Sequence, residues 1–228
     1  MAETALALEK PPEEIEYPES DGEPMAETDE HRDELAELVF TLKRYFRDRD
    51  DVYVSGNLFV YYQEGDPGKR RAPDVFVVCG VPNNQRRTYR LWDEGKAPAM
   101  AIELTSAETK KEDRKVKPEI YAGWGIEYLF LYDVLGEYLD PPLQGQRLGR
   151  DGRYHPLVGP RNGPLPCPPL GLNLILDDEG RLQFVDRETG ELVVRVRLAL
   201  EQEAEARRKS EEEKQGMMAE IERLRTQL

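Results

Sequence analysis

The sequence predicts an α/β fold: a central mixed sheet flanked by helices, with further short strands and a helix at the C-terminus. Two observations carry that expectation. Three short apolar runs, at 73–78, 100–106 and 127–133, have strand composition, and a lysine-rich helical stretch at 110–121 separates the last two. Ahead of them, Leu35, Leu38, Val39, Leu42, Tyr45 and Phe46 recur at spacings of three and four. That is one apolar face of a helix, capped by Thr28 or Asp29 and running to about Arg49. A chain of 228 residues is long enough for one such domain with appendages.

The elements follow in order. Residues 1–28 have the composition of a solvated, disordered acidic arm; residues 1–34 contain 13 acids and 2 bases. The run 52–62 reads as two strand-like pieces around a Gly56-Asn57 turn, and a polar loop at 63–71 follows. Residues 82–98, rich in Asn, Arg, Pro and Gly, read as a long surface excursion, a mobile flap. Pro118 inside the lysine-rich stretch predicts a kink or a late start to that helix. Beyond Asp133 short strands are expected at 137–139, 152–154, 172–176, 182–185 and 192–194, with a proline-rich loop at 163–169. Residues 199–228 are helical by composition, and Met217, Ile221, Leu224 and Leu228 form a short heptad seam. Continued backwards, that seam meets Lys214, Ser210 and Arg207, and Gly216 weakens it. A short dimerising coiled coil and a helix packed on its own domain both fit. The expected organisation is an arm at 1–28, a core domain at 29–198 and a terminal helix at 199–228.

Composition excludes several classes. No apolar run approaches the roughly 20 residues that span a bilayer, and no signal peptide is visible, so a cytoplasmic protein is expected. Cys79 and Cys167 suggest neither a disulfide framework nor a zinc site. The net charge of −14 argues against tight non-specific DNA binding, but the acidity belongs mostly to the arm, and residues 35–200 are nearly neutral. A locally basic cleft remains compatible with that balance.

The chemistry is concentrated at 72–133. Asp74 stands at the mouth of a β-branched run, and Glu103 interrupts an otherwise apolar strand. Two carboxylates held a few ångströms apart repel unless they share a proton or a cation. Mg²⁺, or Mn²⁺ in its place, suits such hard oxygen ligands, and the Leu104 carbonyl supplies a further one. A neighbouring lysine would orient the attacking water and offset developing charge on a phosphorane. Lys110, Lys111, Lys115 and Lys117 are available, and Lys117 shares a helix face with Asp113 and Tyr121. A strand-end Asp also serves as a turn residue, and a lysine-rich helix as a solvated face; spacing leaves both readings open.

The run Pro73-Asp74-Val75, then Ile102-Glu103-Leu104-Thr105-Ser106, Thr109, Asp113, Lys117, Tyr121, Gly125-Ile126 and Asp133 resembles the Uma-two (Uma2) family. These are restriction-endonuclease-like proteins of the PD-(D/E)XK nuclease superfamily. The resemblance spans roughly residues 29–194 and is specific over 73–133. It implies a restriction-endonuclease-like core and DNA phosphodiester hydrolysis, with Asp74 and Glu103 as metal ligands. It also implies Lys117 as the catalytic lysine, which the superfamily ordinarily carries where this chain has Thr105. The chain departs from the family at Ala107-Glu108, at Tyr128-Leu129-Phe130 and at Pro118.

Arg71, Lys110, Lys111, Arg114 and Lys115, with Lys69, Arg70, Arg86, Arg87 and Arg90, flank the cluster in sequence and suit a phosphate-contact rim; scattered solubilising charge fits them as well. His31 is placed as a surface residue near the helix start, with a role in the cleft as the alternative, and Glu37 as a possible third acid. The expected function is a Mg²⁺-dependent endodeoxyribonuclease acting as a homodimer. The alternative is a catalytically silent nuclease-fold module that binds protein or nucleic acid.

Overall fold

The computed structural model describes residues 15–20, 22, 28–157 and 163–226. Its elements run α1 (Asp29–Tyr45), β1 (Val52–Ser55), β2 (Val60–Tyr61), β3 (Arg70–Arg71), β4 (Val75–Cys79), β5 (Tyr89–Arg90), α2 (Leu91–Glu94), β6 (Met100–Leu104), α3 (Lys110–Trp124) and β7 (Tyr128–Tyr132). They continue with β8 (Leu143–Leu148), β9 (Tyr154–Pro156), β10 (Leu165–Cys167), a 3-10 turn (Pro168–Leu170), β11 (Leu172–Leu176), β12 (Leu182–Asp186) and α4 (Val196–Thr226).

Six strands form the central sheet in the order β1-β4-β6-β7-β8-β9. Only β6 and β7, joined through α3, run parallel, so the sheet is mixed. The middle strands β4, β6 and β7 are apolar on both faces, Glu103 of β6 excepted, because both faces are covered. On one face Val75, Val77, Ile102, Leu104 and Phe130 pack against Leu38 and Leu42 of α1 and against the small sheet β10-β11-β12. On the other, Phe76, Val78, Ala101, Leu129 and Leu131 pack with Tyr121 and Trp124 of α3. The expected α/β architecture with flanking and C-terminal helices is the observed one.

Helix α1 starts where its cap predicts, with the Thr28 side chain accepting from the His31 N–H. It ends at Tyr45, short of Arg49. Helix α3 runs through Pro118 and stops at Gly125, whose positive φ of 85° terminates it.

Several expectations fail in the periphery. Residues 137–139 are not a strand, because the loop they belong to is wound around the Asp133 carboxylate. Strand β8 forms although Leu143-Gln-Gly-Gln-Arg-Leu lacks a strand composition. Gly145 lets the neighbouring side chains pack close, since a Cβ there would lie 2.8 Å from Leu157 and 3.0 Å from Phe130 and would make them shift. The proline-rich loop contains β10, and 192–194 contributes one bridge, Val185 to Leu192. The strand expected at 152–154 begins at Tyr154.

The excursion at 82–98 is no flap. Tyr89 is fully buried against Tyr53 and Phe76, and Arg86 stacks 4.2 Å over Tyr53 while its Nε donates to Glu94 at 2.6 Å. Part of the arm is also engaged: Tyr17 packs edge-on to Tyr61 at 5.0 Å, and the Tyr61 hydroxyl donates to the Pro18 carbonyl.

Arg195 joins α4 to α1 by pairing with Glu34 at 2.5 Å and lying 3.5 Å from Glu37. Past Ala199 the described α4 side chains, to Met218, are exposed. The Ile221, Leu224 and Leu228 side chains of the expected seam lie outside the described residues; Met217 is exposed.

Candidate active site

The site begins with strand register. Val75 pairs with Ile102, Phe76 with Ala101 and Val77 with Met100. One step further in that antiparallel register, Asp74 stands opposite Glu103. Side chains alternate along a strand, and Phe76 and Ala101 point to the α3 layer. Asp74 and Glu103 therefore share that side, and directly opposed residues have Cβ atoms roughly 4.5–5.5 Å apart.

The end of β1 fixes the first acid from below. Asn57, at a positive φ of 49°, donates its N–H to the Pro73 carbonyl at 3.0 Å. Beside it, a Cβ on Gly56 would fall 2.2 Å from the Asp74 carbonyl oxygen and 2.8 Å from Val39. Only glycine lets these segments approach so closely. Asp74 Oδ2 then accepts the Leu104 N–H at 2.7 Å. The N–H and C=O of one strand residue point to the same edge, so the Leu104 carbonyl faces Asp74's side, while Thr105 N–H turns the other way to the Tyr132 carbonyl at 2.7 Å.

Helix α3 supplies the rest at four-residue intervals. Asp113, Lys117 and Tyr121 lie on its buried face, whereas Lys111, Arg114 and Lys115 are exposed. The Lys117 ammonium lies 2.5 Å from Glu103 Oε2 and 2.7 Å from Asp113 Oδ1. The Tyr121 hydroxyl donates to Glu103 Oε1 at 2.6 Å. Glu103 and Asp113 are wholly withdrawn from solvent.

Three carboxylates and one ammonium in a dry site leave an excess of negative charge. Burial pushes Glu103 up to about 8 although Lys117 opposes the shift, and pushes Asp74 up to about 6 against the pull of Lys117 and the Leu104 N–H. Burial works against the charge on Lys117, but Glu103, Asp74 and Asp113 outweigh it, raise its pKa and keep it protonated. Burial, and then Glu103, hold the Tyr121 phenol well above its ordinary value, so it remains a donor.

A cavity of about 420 Å³ opens onto Asp74, Leu104 and Thr105, bordered by His31, Glu108 and Tyr138. Asp133, at the end of β7, builds one wall. Its carboxylate accepts the backbone N–H groups of Leu135, Gly136, Tyr138 and Leu139, which wraps the 134–139 loop over the cavity.

Of the expected phosphate-contact residues, Lys110 sits at this rim, its ammonium 5.3 Å from the centre of the Tyr138 ring. Arg71 lies 3.5 Å from Glu112 of α3. Arg86 is buried against Glu94 and Tyr53 and is structural, whereas Arg87 pairs with Glu19 at 2.5 Å and Arg90 stacks 4.8 Å over Tyr17 at the surface. Glu37 is not a third acid of the site, because it accepts the Arg197 N–H at the start of α4. His31 is buried and faces the cavity instead of solvent. The acid beside Lys117 is Asp113, and its signal was the four-residue spacing to that lysine. No sequence signal distinguished the loop-building role of Asp133.

The family model for Uma2, described as "Putative restriction endonuclease", matches residues 2–177. The chain belongs to the Uma2 family. That membership makes it, at the coarse level, a nuclease-family protein. Among solved structures it is similar to one titled a "putative nuclease belonging to DUF820" from Anabaena variabilis ATCC 29413, at 15% identity and a TM-score of 0.46, covering 64% of this chain and 76% of that one. None of the curated proteins matches it. Among the described residues no helix is long and apolar enough to cross a membrane.

Proposed function

We propose that this Uma2 member is a metal-dependent endonuclease that hydrolyses DNA phosphodiester bonds in the cytoplasm. The observation that supports it best is the register that sets Asp74 opposite Glu103, with Lys117 at 2.5 Å from the second acid. The donor set fits Mg²⁺ or Mn²⁺: hard oxygens from Asp74, Glu103 and the Leu104 carbonyl, in a site whose buried carboxylates exceed its cations. Mg²⁺ ordinarily takes one or two carboxylates and fills the rest of its shell with water and substrate phosphate oxygens. When bound, such an ion polarises the phosphoryl group and acidifies an attacking water.

The chain's own residues do the rest. The Leu104 N–H orients Asp74, and Tyr121 and Lys117 hold one Glu103 oxygen each. Lys117 keeps its proton and, from behind Glu103, would meet the nucleophile or the developing phosphorane charge only by turning an N–H from Asp113 toward the cavity that it does not line. Lys110, Lys111, Arg114, Lys115 and Arg71 line the approach for the DNA backbone. The exposed α4 joins two chains into a homodimer.

A second reading has one observation in its favour. Both Glu103 oxygens are already satisfied within the chain, as in a nuclease fold used only for binding or assembly. Purified protein with Mg²⁺ and plasmid DNA decides between them: cleavage that the Asp74→Ala variant lacks supports the enzyme, and equal inactivity of both supports the silent module.

A further inference from the structure

At the end of β6 one polar group has nothing to bond to. Thr105 is 2% exposed, and its Oγ1 has no hydrogen-bond partner among the described residues. Leaving a buried hydroxyl unpaired costs free energy that an apolar residue of the same shape would not. Its N–H is bonded to the Tyr132 carbonyl, and its hydroxyl makes no hydrogen bond that would help hold the sheet. Thr105 is among the residues lining the cavity that also reaches Asp74.

Its neighbours there are already engaged. Ser106 Oγ and Thr109 Oγ1 lie 3.2 Å from each other and cap the turn into α3, and Thr28 Oγ1 caps α1. Lys117 does not border the cavity and is divided between Glu103 and Asp113. Asp74 and Glu108 give the cavity acidic walls, which a phosphate approaches only if donors meet its oxygens.

We propose that Thr105 is a further catalytic residue, whose Oγ1–H donates to a non-bridging oxygen of the DNA phosphodiester seated at Asp74. The inference rests on the nuclease reading of the site and adds a substrate contact to it. The hydroxyl is neutral and rotates freely, so it follows the phosphate oxygen as charge builds on it, without an ion pair to break first. A charge-assisted hydrogen bond of this kind corresponds to about a ten- to hundredfold effect.

Thr105→Val keeps the shape and removes the donor, and Thr105→Ser restores it. Three quantities are read: the melting temperature, the affinity for a fluorescein-labelled DNA duplex in Ca²⁺, and the single-turnover cleavage rate in Mg²⁺. Thr105→Val is expected to melt no lower than the parent, because the lost hydroxyl had no partner. It should bind and cleave about ten- to a hundredfold worse, with Thr105→Ser close to the parent. A lower melting temperature for the valine variant, or unchanged affinity and rate, overturns the assignment while Asp74→Asn still tests the site as a whole. If the parent binds but does not cleave, the hydrolase reading fails and the affinity series alone decides Thr105. If the parent binds no DNA, both fall.

Discussion

Replacing Lys117 with methionine removes one positive charge at nearly constant volume. In the parent that ammonium is shared by Glu103 at 2.5 Å and Asp113 at 2.7 Å, two carboxylates with no solvent exposure. Stripping one partner from a buried ion pair costs about 3–5 kcal/mol, because the other charge stays behind. A stranded carboxylate can escape by taking up a proton, so the cost must depend on pH. Burial already pushes Glu103 from 4.5 up to about 8 with the ammonium present. A carboxyl whose folded pKa lies above its unfolded value makes the folded state take up protons. Its presence is harmless below about 4.5, and stability falls as pH rises from there toward 8. Without Lys117 that fall steepens and extends upward. We expect Lys117→Met to lose about 1.5–2 kcal/mol at pH 5, the low end for one hydrogen bond to a charged group, and about 3–5 kcal/mol at pH 9. At 2–4 °C per kcal/mol, the melting temperature drops by roughly 10 °C at pH 9 and only a few degrees at pH 5. Urea titration followed by tryptophan fluorescence reads this, with Trp124, its ring centre 4.8 Å from that of Tyr121, as one of the two reporters beside Trp92. Equal destabilisation at the two pH values, or none, would refute Lys117 as the cation that neutralises these acids.

Three other outcomes follow from the same geometry. Asp74→Asn and Glu103→Gln should each keep the fold and lose Mn²⁺ binding by calorimetry; undiminished binding in both sinks the metal assignment. Lys115, exposed where Lys117 is buried, should on change to alanine weaken DNA binding mainly at low salt and leave the single-turnover rate at saturating DNA intact. Asp133→Ala strands four backbone N–H groups and should cost about 3 kcal/mol or more, with faster hydrogen exchange at 135–139 as its signature. Protection unchanged at those amides would show that the loop does not depend on Asp133.

The core was legible because its signals are local. Leu38 and Leu42 of α1 repeat at a helical spacing, and Val75 to Val78, and Met100 to Leu104 apart from Glu103, are apolar because both their faces are covered. The site lysine was legible for the same reason: Asp113, Lys117 and Tyr121 are four apart, and on a helix that fixes a face. What failed depended on distant partners. Nothing in Arg86 announces that Glu94 and Tyr53 will claim it, so its charge reads as a free cation. Residues 137–139 look like a strand until Asp133 collects the Tyr138 and Leu139 N–H groups, and β8 is held by its pairing with β7, which its own composition does not announce. His31 reads as a helix-start surface residue, and only the tertiary fold turns it to the cavity.

Gly56 carries a consequence for how relatives of this chain are judged. The obstacle to any side chain there is the main-chain oxygen of Asp74, 2.2 Å from where the first carbon would stand. Main chain cannot rotate aside as a lysine tip can, so a single methyl at position 56 has to push the whole residue, carboxylate included. A homologue could thus retain each acid and the lysine letter for letter and still be inert, silenced from the far side of a strand pair. Sorting such proteins into cutters and non-cutters by their acidic signature alone would count that homologue among the cutters, and the residue to inspect is one that carries no chemistry at all.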